Sequence, residues 1–427
     1  MKRQSEAPNV TIRALSGADG YRLELRGAGD LEPLPLPIHD PTVLRHVHAR
    51  FGNALERAKN AWQRPGTLPL QQAGAALADL AKAGSLLLSR VLVRAQESLT
   101  ELDAAMIRWC PSLHQAPGRI PVLHVEPGVA QFLPWEVIPL FGLFRDGWVE
   151  TVDGLEQAAG SFPGFSAVVE RALVNKTSAQ SPWLSTQNDQ LTLRFLWHAK
   201  YPGASGELAF FRNRDVIRLE GPCPSPGDPL PGPDTIARYM ADPGLGLDGR
   251  RVEHPHQIMH FSCHCDARAA NGPTDDGEFA LHLATEDGDS VRIPVEEILG
   301  KLILEWKDAR RRTLEKPLVF LNACATGVYD PSTLTSVVEP FHKNENRGVI
   351  ATAANLPDRH AHAFSRRFYF ELLNGRTVGE ALYEAKWDLL RSRKNPMGLL
   401  YSLYGMSALQ VAPLPSRTYA DASPAHT

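Results

Sequence analysis

The hydrophobic residues of the C-terminal half fall into short runs that are bounded by turn-forming residues. Four such runs are IMHFSC (258–263), FALHLA (279–284), LVFLNAC (318–324) and GVIATAA (348–354), and an earlier one is IPVLHV (120–125). The last two of the four are apolar at consecutive positions, which is typical of parallel strands that helices cover on both faces. The pattern therefore predicts buried β-strands.

Helical patterns separate these strands. The segment that follows Pro294 carries glutamates in its first turn, apolar residues on one face and arginines at its end, in keeping with the helix dipole. A second helix is predicted over about 360–373, and Thr377 with Glu380 predicts a capping box that begins a third. Strands that alternate with helices predict an α/β fold with a mostly parallel central sheet.

The chain before residue 105 has a different pattern. A predicted strand pair (VTIRAL, YRLELR) is followed by two helical stretches, one from Asp40-Pro41 to Pro65-Gly66 and one from Leu70 to beyond Val93. We therefore predict a small, mainly helical N-terminal region over residues 1–104 and an α/β domain over residues 105–412. Residues 221–234 contain six prolines and predict a surface loop, and residues 413–427 predict a disordered tail.

Composition narrows the class of protein. Of 427 residues, 43% are hydrophobic and the net charge is −3, so no basic field is available to attract nucleic acid. No apolar run approaches the roughly 18 residues of a membrane span, and MKRQSEAPNV lacks the apolar core of a secretion signal. We expect a cytoplasmic protein with no direct nucleic-acid binding and no membrane association. An odd count of five cysteines speaks against a disulfide framework.

Chemistry-bearing residues follow the predicted strands. His264 comes directly after IMHFSC, Cys324 ends LVFLNAC, and Asp358 lies four residues beyond GVIATAA. Because working groups in an open α/β sheet collect beyond the carboxyl ends of its strands, these three residues are expected at one edge. An imidazole beside a thiol can take its proton and later protonate a leaving amine. The pattern indicates a cysteine nucleophile with a histidine base.

Five motifs occur in order along the chain: LPWEV, HFSCHC, FLNACATG, GVIATAANLPD and FYFELLNGRTVGEALYEAKWDLL. Together they resemble the CHAT family of caspase- and separase-related cysteine peptidases, and the resemblance extends over about residues 105–412. It implies a caspase-like α/β/α sandwich in which His264 is the general base and acid and Cys324 the nucleophile. It also implies an oxyanion hole made by the backbone N–H groups of Cys324 and Cys265.

The resemblance extends to substrate binding. In separase-like members an acidic residue after the next strand receives an arginine, and Asp358 matches that position, which predicts cleavage after Arg. The alternative is that Asp358 caps a helix that begins near His360. Asn322 lines the same pocket or has a buried structural role. Asp266 and Asp275-Asp276 are interpreted as solvated loop charges.

Two other classes of function stay open. Family members usually have Gly where this chain has Cys265, so a scaffold that has lost turnover, a pseudoprotease, is the second hypothesis. A metal-binding module is a third, since His260, Cys263, His264 and Cys265 are close in sequence, but strand alternation sends His260 and Cys263 to opposite faces. We expect no metal and no cofactor.

Serine-hydrolase, P-loop, zincin and dinucleotide-binding motifs do not occur in the sequence.

The sequence thus predicts a CHAT cysteine endopeptidase that cleaves a protein substrate. By resemblance, an activating or regulatory protein partner and a role in bacterial anti-phage defence are also expected.

Overall fold

The structure is a computed structural model of the chain. It describes residues 8–17, 20–30, 32–38, 57–58, 60, 62, 66–89, 96–110, 120–127, 133–141, 151–172, 181–268, 278–308, 314–324, 331–352 and 358–413.

Strands run through the whole described chain. They are β1 Val10–Gly17, β2 Gly20–Gly27, β3 Leu34–Ile38, β4 Val122–Val125, β5 Val168–Arg171, β6 Trp183–Leu184, β7 Leu191–Trp197, β8 Ile217–Cys223, β9 Ile258–Arg268, β10 Glu278–Ala284, β11 Ser290–Pro294, β12 Leu318–Cys324, β13 Gly348–Thr352, β14 Tyr401–Gly405 and β15 Gln410–Val411. The helices are α1 Leu70–Leu87, α2 Gln96–Trp109, α3 Val152–Ala159, α4 Pro163–Ser166, α5 Pro202–Arg212, α6 Pro233–Ala241, α7 Val295–Glu305, α8 Pro331–Lys343, α9 Asp358–Leu373 and α10 Val378–Arg393.

Thirteen of these strands form one sheet. Its main path is β11-β10-β9-β12-β13-β14-β5-β4-β1-β2-β3, and β7 joins β9 and carries β8 at its other side. The central pairs β7–β9, β9–β12 and β12–β13 are parallel, and so are β14–β5, β5–β4 and β4–β1. The predicted mostly parallel sheet is confirmed.

Helices cover both faces of the sheet. On one face α5, α9 and α10 pack together, and on the other α6, α7 and α8 do. Neighbouring residues of β9 show the alternation, since the His260 ring lies 5.5 Å from the Tyr369 ring of α9 and the Phe261 ring lies 5.7 Å from the Phe341 ring of α8. The strands are apolar because helices bury both sides of them. The predicted α/β/α sandwich is confirmed.

The long strand β9 differs from its prediction. IMHFSC predicted a strand that ends at residue 263, but β9 continues to Arg268. Its first half pairs with β7, Leu193↔Ile258 to Trp197↔Ser262, and its second half pairs with antiparallel β10, Glu278↔Arg268 to His282↔His264. The polar residues after Cys263 look like a loop in sequence, but pairing with β10 keeps them extended. His264 therefore lies inside a strand.

The N-terminal region is more than a helical pair. The predicted strand pair is confirmed as β1 and β2, which pair from Val10↔Gly27 to Gly17↔Gly20, and the second predicted helix appears as α1. Because β1 also pairs with β4, these strands continue the main sheet. The prediction of a mainly helical region therefore understated its strands. Most of the helix predicted from Asp40-Pro41 lies outside the described residues, although positions 57, 58, 60 and 62 are helical.

The proline-rich segment is only partly a loop. Gly221, Pro222 and Cys223 end β8, and Pro233 begins α6, so the prediction of a surface loop over 221–234 is wrong at both ends. Pro222 is compatible with a strand because β8 pairs only with β7 among the described strands. The indole Nε1 of Trp197 donates to the Pro224 carbonyl at 2.9 Å, which ties the segment to β7. Residues 414–427 of the predicted tail lie outside the described residues.

The helices of the C-terminal half follow their sequence signals. The predicted capping box is present, because the Thr377 hydroxyl accepts from the Glu380 amide and the Glu380 carboxylate accepts from the Thr377 amide. Among the described helices, none is long and apolar enough to cross a bilayer.

Candidate active site

Four strands bring reactive residues into one row. Cys324 of β12 is the register partner of His264 of β9, His264 is the partner of His282 of β10, and His282 is the partner of Arg292 of β11. Neighbouring strands lie about 4.8 Å apart, so the backbones of Cys324 and His264 are adjacent. The row lies at the carboxyl end of the parallel pair β9–β12, where the sequence predicted the site.

The imidazole of His264 is half-buried among other rings. Its centroid lies 5.7 Å from that of His282 and 6.2 Å from that of Tyr201, whose ring in turn lies 4.5 Å from His198. Burial and the neighbouring His282 lower the pKa of His264, while Asp266 opposes them. A neutral imidazole at neutral pH can accept a proton from a thiol.

His198 and Tyr201 were not among the residues predicted from the sequence. Both follow β7, whose seven residues are all buried, and His198 sits at the carboxyl end of that strand just as His264 follows IMHFSC. Burial also lowers the pKa of His198, with further contributions from His264, His282 and Lys200. The signal available in the sequence was the strand LTLRFLW, ended by a histidine and followed by Pro202 at the start of α5.

Asp266 lies in a strand and not in the predicted loop, and its side chain is 40% exposed. It lies within β9, and its Oδ2 is 3.0 Å from Nε2 of His282 while its Oδ1 is 3.6 Å from Nε of Arg292. The earlier interpretation is corrected because β9 extends further than its apolar run. Asp275 and Asp276 lie outside the described residues.

A buried polar network lies beneath this row. The carboxylate of Glu207 on α5, 1% exposed, accepts from Asn322 Nδ2 at 2.6 Å and from the Ser365 hydroxyl, and lies 3.2 Å from His260 Nε2. His260 Nδ1 lies 3.0 Å from the Tyr369 hydroxyl. Burial opposes ionisation of Glu207, but His260, His362 and Ser262 outweigh it and lower its pKa. The network joins α5, β9, β12 and α9.

Asn322 belongs to this network. Its Oδ1 accepts from the Tyr401 hydroxyl at 2.8 Å, and the residue is 7% exposed. These bonds support a buried structural role for Asn322, one of the two roles predicted from the sequence; the other was to line the substrate pocket. An amide in this position links the carboxylate of Glu207 to β14.

Asp358 is the first residue of α9. Its Oδ2 accepts from the Gly203 amide at 2.6 Å, so the half-buried carboxylate caps the start of α5. Burial raises the pKa of Asp358, and the bond from Gly203 opposes that shift. A Cβ at Gly203 would lie 2.3 Å from Asp358 Oδ1, which shows how closely the carboxylate approaches that backbone. Asp358 therefore begins the helix predicted near His360, but the helix that its carboxylate caps is α5.

The structure describes Cys263 and Cys265 in more detail than Cys324. Cys263 and Cys265 are buried within β9, and Cys265 is the register partner of Leu281. For Cys324 the structure gives the backbone register, and the segments 269–277, 325–330 and 353–357 lie outside the described residues. Among the residues that the structure describes, no group of three or more His, Cys, Asp or Glu is arranged to hold a metal ion.

Comparison with known proteins gives a family for the segment that contains the row. Residues 249–420 match the CHAT domain family. This segment is similar to CHAT domains. The resemblance read from HFSCHC, FLNACATG and the following motifs is therefore confirmed there. The match begins after β8, so the CHAT domain as matched leaves out β1–β8.

The chain is also similar to one bacterial protein and to two crystal structures of a yeast complex. A Vitiosangium sp. protein named "probable protease" is 31% identical over 111 residues, which are 26% of this chain and 14% of that protein. Two crystal structures of the Saccharomyces cerevisiae separase–securin complex have TM-scores of 0.45 and 0.41 at 10% and 9% identity, and each match covers 94% of this chain and 30% of that one. The chain thus spans a small part of the length of these relatives.

Proposed function

We propose that the protein is a cysteine endopeptidase in which His264 and Cys324 form the catalytic dyad. The observation that carries the proposal is their register pairing on adjacent parallel strands within the CHAT domain. A relative that is named a probable protease supports the same class of enzyme.

The proposed reaction is acyl transfer to a thiol. His264 takes the proton of Cys324, and the thiolate attacks the scissile carbonyl carbon to form a C–S bond. The backbone N–H groups of Cys265 and Cys324 donate to the oxyanion. As the intermediate collapses, the C–N bond breaks and His264 gives its proton to the leaving amine. His264 then deprotonates a water molecule, which hydrolyses the thioester and returns the thiol.

The substrate in this proposal is a protein cleaved after a basic residue. Asp358 supplies the acidic group for an arginine side chain, and its raised pKa reflects the burial that would strengthen such an ion pair. The carboxylate already accepts from Gly203, so the arginine would be held by its remaining acceptor positions. The activating partner and the role in antiviral defence stay predictions of the family resemblance.

Active-site labelling tests the proposal. The purified protein is treated with a peptidyl-arginine acyloxymethyl ketone, and modified cysteines are mapped by mass spectrometry. We expect modification at Cys324 and its loss in Cys324→Ala and in His264→Ala. Cys110→Ala is the matched control and keeps the label, since burial raises the pKa of the Cys110 thiol to about 12 and leaves it unreactive.

Labelling that survives in Cys324→Ala would contradict the dyad. A folded protein that takes no label and cleaves no arginyl or other peptide would favour the pseudoprotease scaffold.

A further inference from the structure

Asp266 occupies an unusual position beside the proposed base. It lies two residues after His264 on β9, so alternation places both side chains on the same face of the sheet. Its carboxylate is held between His282 of β10 and Arg292 of β11, at 3.0 and 3.6 Å. Asp266 Oδ1 is closed off from solvent and has no hydrogen-bond partner among the described residues. Because this oxygen is shielded from water, its charge acts on neighbouring groups with less screening than it would in solution.

We propose that Asp266, held between His282 and Arg292, is the positioning residue that stabilises the protonated imidazole of His264. The inference rests on the proposed function, because it takes His264 as the base. When Cys324 loses its proton, the imidazolium that forms sits in a half-buried position. A fixed negative charge near it favours that state, as preorganised charges do in active sites.

The other charged and titratable groups around His264 act differently. On its β10 side His282 opposes protonation and burial does the same, whereas Asp266 favours it. Tyr201, before α5, contributes a ring contact, and His198 at the end of β7 is a further imidazole nearby. Of the described groups that shift the pKa of His264, Asp266 is the one that raises it. Cys324 on β12 supplies the proton.

Substitution of Arg292 provides a second test of the proposal, because its expected effect on His264 is opposite to that of substituting Asp266. Its guanidinium faces the same carboxylate and offsets part of its charge. Removal of Arg292 should therefore strengthen the field of Asp266 at His264, whereas removal of the Asp266 charge should abolish it. A general disturbance of the sheet edge would not produce shifts of opposite sign.

NMR titration of the His264 imidazole tests this arrangement. The full-length protein carries Cys324→Ala, and the resonance is assigned by its loss in His264→Gln. Relative to this parent, we expect Asp266→Asn to lower the pKa of His264 and Arg292→Gln to raise it, with the double variant between them. Asp248→Asn is the control and leaves it unchanged, because Asp248 is exposed and pairs with Arg250.

Three outcomes would overturn the proposal: no shift in Asp266→Asn, shifts of the same sign in both variants, or an equal shift in the control. Arg292→Gln removes a partly exposed side chain, so it tests the field even where Asp266→Asn does not fold.

The activity measurement uses the chain with Cys324 intact. We expect Asp266→Asn to lower kcat/KM by up to about 10²-fold, the lower end of what general acid–base catalysis contributes, and to move the His264-dependent limb of its pH profile to lower pH. An unchanged kcat/KM would overturn the positioning role. The titration needs no turnover, so failure of the dyad in the labelling experiment is distinguishable from failure of this inference.

Discussion

Removal of the Asn322 amide should destabilise the protein strongly. In Asn322→Ala the Glu207 carboxylate loses the hydrogen bond that Nδ2 donates at 2.6 Å, and the Tyr401 hydroxyl loses its 2.8 Å acceptor. Glu207 and Asn322 are 1% and 7% exposed, so water does not easily replace either bond. The variant therefore tests whether the network beneath the candidate site holds the strands in place.

The magnitude follows from the two bonds. A hydrogen bond to a charged group contributes about 1.5–3 kcal/mol, and a neutral one about 0.5–1.5 kcal/mol. For Asn322→Ala we expect the free energy of unfolding to fall by about 2–4 kcal/mol. Tyr401→Phe removes only the second bond and should cost about 1 kcal/mol. Because both changes share that bond, the double variant should lose less than the two single variants combined.

Urea denaturation, followed by tryptophan fluorescence and circular dichroism, measures these differences. Asn374→Ala is the matched control, since Asn374 is exposed and its amide donates to the Phe370 carbonyl at the end of α9. We expect this control to change the free energy of unfolding by less than about 0.5 kcal/mol. If Asn322→Ala were as mild as the control but raised KM for peptides, Asn322 would line the substrate pocket and the reasoning from the network would be refuted.

Three further predictions concern other elements. Thr377→Ala removes the N-cap of α10 and should lower the free energy of unfolding by about 1 kcal/mol in urea denaturation; no change would contradict the capping box. Burial lowers the pKa of Lys386 from its ordinary value of 10.5 to about 8, against the attraction of Glu136. Between about pH 8 and 10.5 the unfolded chain therefore binds the additional proton, so stability should rise with pH by about 3 kcal/mol in the wild type. Lys386→Met should lose that rise, and equal slopes would contradict it. Asp358→Asn keeps an acceptor for Gly203, so the melting temperature should hold while kcat/KM for arginyl peptides falls at least about tenfold; an equal fall for neutral peptides would argue against an arginine pocket.

Local signals were enough to predict much of the fold. LVFLNAC became β12 with the predicted bounds, and the capping box of α10 formed as its sequence indicated. Both depend on residues that are close in the chain. Strand β7 was not predicted, and Arg194 interrupts its otherwise mostly apolar run. That side chain is fully buried, and its charge is met by Glu220 on β8 and by the Tyr239 ring 4.1 Å away on α6.

Local signals also predicted one part of the candidate site and left out another. The placement of His264 and Cys324 at one edge followed from strand ends and the CHAT resemblance. Glu207 carries no such signal, because it is one glutamate on an amphipathic helix, and its partners lie on other elements, far away in the sequence. Only the assembled fold shows that a carboxylate is buried under the row. Asp266 was misread for a related reason, since antiparallel pairing with β10 is not visible in β9 alone.

The sheet also bears on what the CHAT domain needs in order to fold. Within residues 249–420, β14 pairs with β5 and β9 pairs with β7, and both partners precede the matched segment. A fragment that begins at residue 249 would lack β5 and β7. Its strands β14 and β9 would then present unpaired backbone groups, which promote aggregation. The predicted unit 105–412 includes β5 and β7, but it would still leave β4 without β1. Because β1 continues the same sheet, the N-terminal strands extend the scaffold that positions His264 and Cys324.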